Sequence, residues 1–162
     1  MSIEQQRRER IQALGYDYAT QPFQSVDQCN LCESTAFVVL THSDRYGYPA
    51  QAHACRGCGL VFINPRMTAE AYGRFYDGVY RPLVSAFHGR LIDARTIQAE
   101  QGEYAVERAE FLRPFIAGKG YTSMLDIGGS TGVVAHHLAE VFGLTGTVID
   151  PAHAWRYALH AN

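Results

Sequence analysis

Four cysteines stand in two pairs, Cys29 with Cys32 in "CNLC" and Cys55 with Cys58 in "CRGC", with 22 residues between the pairs. Two such pairs, each at the tip of a tight turn, bring four thiolates to the corners of a tetrahedron, as a structural zinc site requires. Gly59 follows the second pair, where a residue without a Cβ lets the backbone fold over the metal; Glu33 holds the equivalent place after the first pair and suits it less well. Four unrelated buried thiols are the plain alternative, and the doubled spacing argues against it. Iron accepts the same four thiolates, so spacing does not separate the two metals. With four protein ligands no position stays open for water, and the metal is expected to fold the module rather than to catalyse.

A second chemistry-bearing stretch is "SMLDIGGSTGVV", residues 123–134, a short apolar run that enters glycines and then a helical pattern. A phosphate loop of the Walker type ends in Gly-Lys-Ser/Thr, and no lysine is present. The dinucleotide pattern G-x-G-x-x-G falls on Gly128, Ser130 and Val133, so two of its three glycines are missing. Asp126 at the end of the strand would also repel a pyrophosphate. A cationic ligand reverses that argument. S-adenosylmethionine carries a sulfonium and an α-ammonium, which a carboxylate beside the turn helps to hold, while Gly128, Gly129 and Gly132 let the backbone come close. Asp150, 18 residues past Gly132 at the end of the next strand, is placed to accept hydrogen bonds from both ribose hydroxyls, and Pro151 to flank the adenine.

Asp126, Gly128 and Gly132 meet the pattern acid-x-G-x-G-x-G, with Ser130 in the place of its middle glycine. In this respect residues 124–150 resemble the first cofactor motif of class I S-adenosylmethionine-dependent methyltransferases. Joined to "CNLC…CRGCGLVFINPRMTAEAYGRFYDGVYR", the chain resembles, over about residues 25–155, the zinc-ribbon-bearing members of that class. Those include sugar C-methyltransferases of deoxysugar and cell-surface polysaccharide pathways. The resemblance implies that the ribbon and the helices after it help to form the substrate side of a cleft. It also implies that Tyr76 and Tyr80, one helical turn apart, turn their phenols to the substrate; an aromatic packing stripe is the competing reading. It implies further a seven-stranded sheet, of which this sequence supplies two strands. The expectation is therefore an amino-terminal portion that is inactive and not a stable monomer by itself, with cover from a carboxyl-terminal half, a second copy or a partner chain.

His88 is a candidate acid-base group on the same helical segment as the tyrosines, set against the reading of a polar surface histidine. His136 and His137 are adjacent on a helix, face different directions and make no metal site. The "RRER" run near the amino terminus reads as a solvated helix face.

The elements that must position these residues fall into four stretches. Residues 1–20 form an amino-terminal helical arm. Residues 21–65 form the zinc ribbon, with two or three short strands rich in β-branched and aromatic residues and broken at "RYGYP". Residues 66–118 form a helical connector or lid, capped at Thr68, with Tyr72, Phe75, Tyr76 and Val79 as a buried stripe. A long helical run from Leu83 follows, interrupted only at Gly89 and Gly102 and closed by Pro114 and "AGKG". Residues 119–162 begin the S-adenosylmethionine-binding domain. The fold class expected is thus an α+β zinc ribbon followed by helices and the opening β-α-β of a Rossmann-like α/β methyltransferase domain, truncated.

Composition agrees with a packed globular chain: of 162 residues, 47% are apolar and 19% charged. The formal charge of −2 offers no general attraction for nucleic acid or an anionic membrane. No apolar run reaches the length of a membrane span, and the charged start lacks the core of a signal peptide. A cytoplasmic location is expected, where disulfides are disfavoured and paired cysteines bind metal. These features together suggest a methyltransferase acting on a nucleotide-linked sugar or related small metabolite. A non-catalytic zinc-ribbon binding or scaffold protein is the alternative.

Overall fold

The structure, a computed structural model, describes residues 1–150. It is mixed α and β, with five helices and small sheets among the described residues. The chain divides into two compact units, Met1–Arg90 and a second that begins at Leu91.

In the first unit, helix α1 (Ile3–Gln12) starts at Ser2, whose hydroxyl accepts the Gln5 amide, and buries only Ile11. Strands β2 (Phe37–Thr41), β3 (Ala52–Cys55) and β4 (Val61–Ile63) form an antiparallel sheet in the order β2-β3-β4. The pairing sets Phe37 opposite Cys55, and the rings of Phe37 and Phe62 meet edge to face at 5.0 Å. The expected strands are present, and two very short ones accompany them: β1 (Phe23–Gln24) pairs antiparallel with β5 (Arg66–Met67). Two residues are too few to show an alternating pattern in a sequence, which is why these escaped notice.

Helix α2 (Ala69–Gly78) is capped by Thr68, whose hydroxyl accepts the Ala71 amide, and α3 (Tyr80–His88) follows and ends at the left-handed Gly89. Tyr18, Ala50, Met67 and Ala71 form a core, against which Tyr16, Tyr48 and Phe75 pack. The expected buried stripe on α2 holds for Tyr72 and Phe75, which lie against this core, but not for Tyr76, which is 41% exposed.

The long helical run from Leu83 is in fact two helices. Gly89 takes φ 70°, the chain leaves helical geometry, and α4 (Ala94–Ile116) restarts at Asp93, whose carboxylate accepts the Thr96 amide at 2.9 Å. Gly102 lies inside α4 without breaking it, and the helix continues past Pro114 to Ile116. A glycine ends a helix when a left-handed residue and a new cap follow, and is merely tolerated when neither does.

In the second unit, β6 (Ser123–Ile127) and β7 (Thr145–Ile149) pair in parallel, Ser123 beside Thr145 through Ile127 beside Ile149, with α5 (Val133–Phe142) as the crossover. Gly146 lies beneath α5, where a Cβ would sit 3.6 Å from the Ala139 Cβ, so helix and sheet approach closely. α4 packs along α5, with Ala105 and Ala109 on one helix and Ala135 and Leu138 on the other all buried. The other face of the strand pair carries Leu125, Ile127 and Ile149, all more than half exposed among the described residues.

Candidate functional site

Cys29, Cys32, Cys55 and Cys58 converge in the first unit, with all four sulfurs within 4.8 Å of one another. Cys29 Sγ lies 3.7 Å from Cys58 Sγ, and Cys32 Sγ 3.5 Å from Cys55 Sγ. A tetrahedral zinc with bonds near 2.3 Å places its sulfurs about 3.8 Å apart, close to these spacings. A disulfide needs about 2.05 Å, and all four thiols are free. The donor set therefore fits a closed four-thiolate metal site, with Cys29 and Cys55 buried and Cys32 and Cys58 at its outer rim.

The backbone builds both halves of the site in the same way. The Cys29 amide donates to the Ser34 carbonyl and the Glu33 amide to the Cys29 carbonyl, while the Cys55 amide donates to Leu60 and the Gly59 amide to Cys55, each at 2.9 Å. This repeated fold requires a left-handed residue four places after the first cysteine of each pair, and Gly59 (φ 78°) and Glu33 (φ 62°) supply it. Gly57 is crowded for another reason: a Cβ there would sit 3.2 Å from Cys32 Sγ and 3.1 Å from Ser34 Cβ, so a larger residue would press on the cluster.

Burial acts to raise the Cys55 thiol, but the amides of Cys58 and Gly57 and the thiols of Cys32 and Cys29 outweigh it and bring it down to about 6. At Cys32 the Ser34 amide acts to lower the pKa. The thiols of Cys58 and Cys55, together with burial, overcome it and push the group up to about 12. Four clustered thiols thus cannot all ionise unless a cation shares the site.

The glycine turn lies between β6 and α5 in the second unit. Gly128 (φ 78°), Ser130 (φ 52°) and Gly132 (φ 76°) are all left-handed, so Ser130 adopts a backbone that favours glycine. Gly129 is left bare by its neighbours: a Cβ there would fall 2.5 Å from Asp126 Oδ2 and 2.8 Å from a methyl of Val148. The half-buried Asp126 carboxylate therefore lies directly against the turn. Asp150, just past β7, accepts the Ser130 amide on Oδ2 at 2.8 Å, and the Gly128 amide donates to the Ile149 carbonyl at 2.6 Å. Asp126, the turn and Asp150 are thus brought together, while Pro151 lies outside the described residues. Sequence reasoning missed Thr131, which is 5% exposed and donates from Oγ1 to Gln101 Oε1 on α4 at 2.7 Å.

Tyr76 at the end of α2 and Tyr80 at the start of α3 have ring centroids 5.1 Å apart. His88 is exposed at the opposite end of α3, its ring against Phe87, about 12 Å along the helix axis from Tyr80. The two tyrosines form one cluster, and the histidine stands apart from it. His136 faces Glu140 across one turn of α5 at 3.4 Å. In the "RRER" run, Arg7 and Arg10 are not a solvated face: their Nε atoms donate to the carbonyls of Phe87 and Ala86 at the end of α3. The expectation of a solvated face holds for the exposed Arg8 and Glu9 and fails for Arg7 and Arg10, whose partners lie 80 and 76 residues further along the chain.

No protein-family model matches the chain, and a search of the curated proteins finds no match to it either.

Proposed function

We propose that the chain belongs to a class I S-adenosylmethionine-dependent methyltransferase with a structural zinc ribbon, similar to the sugar C-methyltransferases. The acceptor would be a nucleotide-linked sugar or a related small metabolite. One observation carries this reading: a left-handed turn follows the first strand of a parallel β-α-β unit, with one carboxylate against it at Asp126 and another at the end of the second strand, Asp150, hydrogen-bonded to it. Such a turn offers closely approachable backbone and negative charge to a ligand with cationic centres and a ribose.

When bound, S-adenosylmethionine supplies an electrophilic methyl group. The residues of this chain position and polarise. Asp150 would accept the ribose hydroxyls, Asp126 would favour the cationic end electrostatically, and the bare backbone at Gly128 and Gly129 would allow close approach. Tyr76 and Tyr80 would contact the acceptor through their phenols, while His88, at the far end of α3, stands too far from them to serve as base to the same acceptor. The zinc, on four thiolates, would hold the ribbon together and take no part in the reaction.

Calorimetric titration with S-adenosylmethionine tests the reading on the chain itself, on Asp150→Ala and on Asp150→Asn. Asp150→Ala should weaken binding by about 10-fold or more, since two charge-assisted hydrogen bonds are lost at about 1.5–3 kcal/mol each before water compensates. Asp150→Asn retains an acceptor for the Ser130 amide, so weakening there as well assigns the loss to the ribose contact and not to a loosened turn. Absence of binding by the unaltered chain would leave the non-catalytic zinc-ribbon scaffold as the better account.

A further inference from the structure

Within the four-cysteine cluster, Cys32 and Cys58 are exposed at the rim, and Cys29 and Cys55 are buried. Two short sulfur contacts run between the turns: Cys32 Sγ lies 3.5 Å from Cys55 Sγ, and Cys58 Sγ 3.7 Å from Cys29 Sγ. Each contact joins one accessible sulfur to one covered sulfur of the opposite turn. Gly57 offers no side chain over the rim, where a Cβ would sit 3.2 Å from Cys32 Sγ, and the sequence neighbours Leu31, Glu33 and Arg56 are exposed. Small solutes can therefore reach the rim sulfurs.

Cysteines that ligate a metal do so as thiolates, which are also the nucleophilic form of the side chain. An accessible thiolate with a second sulfur in contact is the arrangement of a cysteine that is oxidised and then resolved as a disulfide. The cluster holds that arrangement twice, once at Cys32 with Cys55 and once at Cys58 with Cys29.

We propose that the cluster is a redox-sensitive modification site: hydrogen peroxide oxidises it at Cys32 and Cys58 and converts it to two disulfides, Cys32–Cys55 and Cys29–Cys58, with loss of the metal. At each pair the rim thiolate attacks one peroxide oxygen, the O–O bond breaks and hydroxide leaves, so that the rim sulfur becomes a sulfenic acid. The buried thiolate then attacks that sulfur; the S–S bond forms, the S–O bond breaks and a second hydroxide leaves. Two protons from solvent turn the hydroxides into water. Each pair of sulfurs gives up two electrons and reduces one peroxide. Disulfide sulfurs carry no negative charge, so the oxidised cluster no longer holds a divalent cation.

This pairing has a consequence for the fold. Disulfides between the turns link positions 23 and 29 apart, whereas disulfides within the turns would link positions only three apart. A disulfide constrains the unfolded chain more as the loop it closes lengthens. The two bonds also join the turn at Cys29 to the turn at Cys55, as four ligands on one metal would. The oxidised ribbon therefore stays folded without metal, unlike the reduced one. The device rests on the four-thiolate metal site and is independent of the reading of the glycine turn.

Titration of the zinc-loaded full chain with hydrogen peroxide tests the proposal, with zinc release followed by a chromogenic chelator and disulfides mapped by proteolysis and mass spectrometry. The expected result is complete zinc release with the Cys32–Cys55 and Cys29–Cys58 linkages, ordered NMR signals of Phe37 and Phe62 retained, and renewed zinc binding after reduction with dithiothreitol. Linkages within the turns, Cys29–Cys32 and Cys55–Cys58, overturn the pairing. Zinc released with sulfinic or sulfonic products in place of disulfides, or loss of the Phe37 and Phe62 signals on oxidation, overturns the reversible device. Metal content measured beforehand separates the remaining failures: a chain that purifies without metal refutes the metal site and this proposal with it, whereas zinc retained in excess peroxide refutes the proposal alone.

Discussion

Glu33 and Gly59 do the same backbone job with opposite suitability. Both are left-handed, at φ 62° and φ 78°, in cysteine turns with matching hydrogen bonds. An added Cβ at Gly59 meets no atom within 4 Å, so Gly59→Ala carries only the conformational cost of a left-handed L-residue, about 1 kcal/mol. Glu33→Gly removes that cost at the first turn and should stabilise by less than about 1 kcal/mol, because glycine gives back part of the gain as unfolded-state entropy. Chemical denaturation of the metal-loaded chain measures both; destabilisation by Glu33→Gly would show that the two turns are not equivalent. These roles were legible in the sequence because a two-residue cysteine spacing fixes a local loop, and the loop fixes where a left-handed residue must come. Arg7 and Arg10 were not legible. They serve carbonyls 80 and 76 residues away, and nothing in "RRER" marks an arginine that will cap another helix.

Strand β6, helix α5 and strand β7 were legible because apolar periodicity changes where each begins and glycines punctuate the changes. The break between α3 and α4 was not. Gly89 and Gly102 look alike in the sequence, and only the cap at Asp93 distinguishes the glycine that ends a helix from the one that does not. α4 also has a function at this scale that its own sequence does not announce. Gln101 on α4 accepts the Thr131 hydroxyl, which ties the helix to the glycine turn through a buried side chain. Thr131→Val keeps the shape, removes the donor and leaves the Gln101 carbonyl oxygen without this partner, so stability should fall by about 1 kcal/mol. Hydrogen exchange should then quicken in α4 and in the turn together. Faster exchange in the turn alone would mean that α4 is held by Ala105 and Ala109 against α5 without help from this bond.

The two units differ in what holds them together, and metal removal should expose the difference. The first has an aromatic core around Tyr18, Tyr48 and Met67 and the four-cysteine cluster that ties β3 to the loops on either side. Among its described residues the second has neither an aromatic core nor clustered cysteines; α4 and α5 bury aliphatic side chains such as Ala105, Ala109, Ala135 and Leu138, and Leu125, Ile127 and Ile149 stay open. Parallel strands are ordinarily covered on both faces, so this unit is expected to be the less stable of the two. No described helix is long and apolar enough to cross a membrane. In a small metal-bound module the binding free energy is folding free energy. A chelator should therefore unfold the ribbon, with loss of the ordered environments of Phe37, Cys55 and Phe62 in NMR spectra. The amides of β6, α5 and β7 should keep their shifts, since the division at Arg90–Leu91 leaves them outside the cysteine cluster. Elemental analysis of the unchelated protein should find one zinc or iron per chain, and Cys55→Ser should reproduce the effect of the chelator. Simultaneous loss of both sets of signals would mean that the units fold as one, with the metal stabilising β6 and β7 as much as the sheet whose strand β3 ends at Cys55.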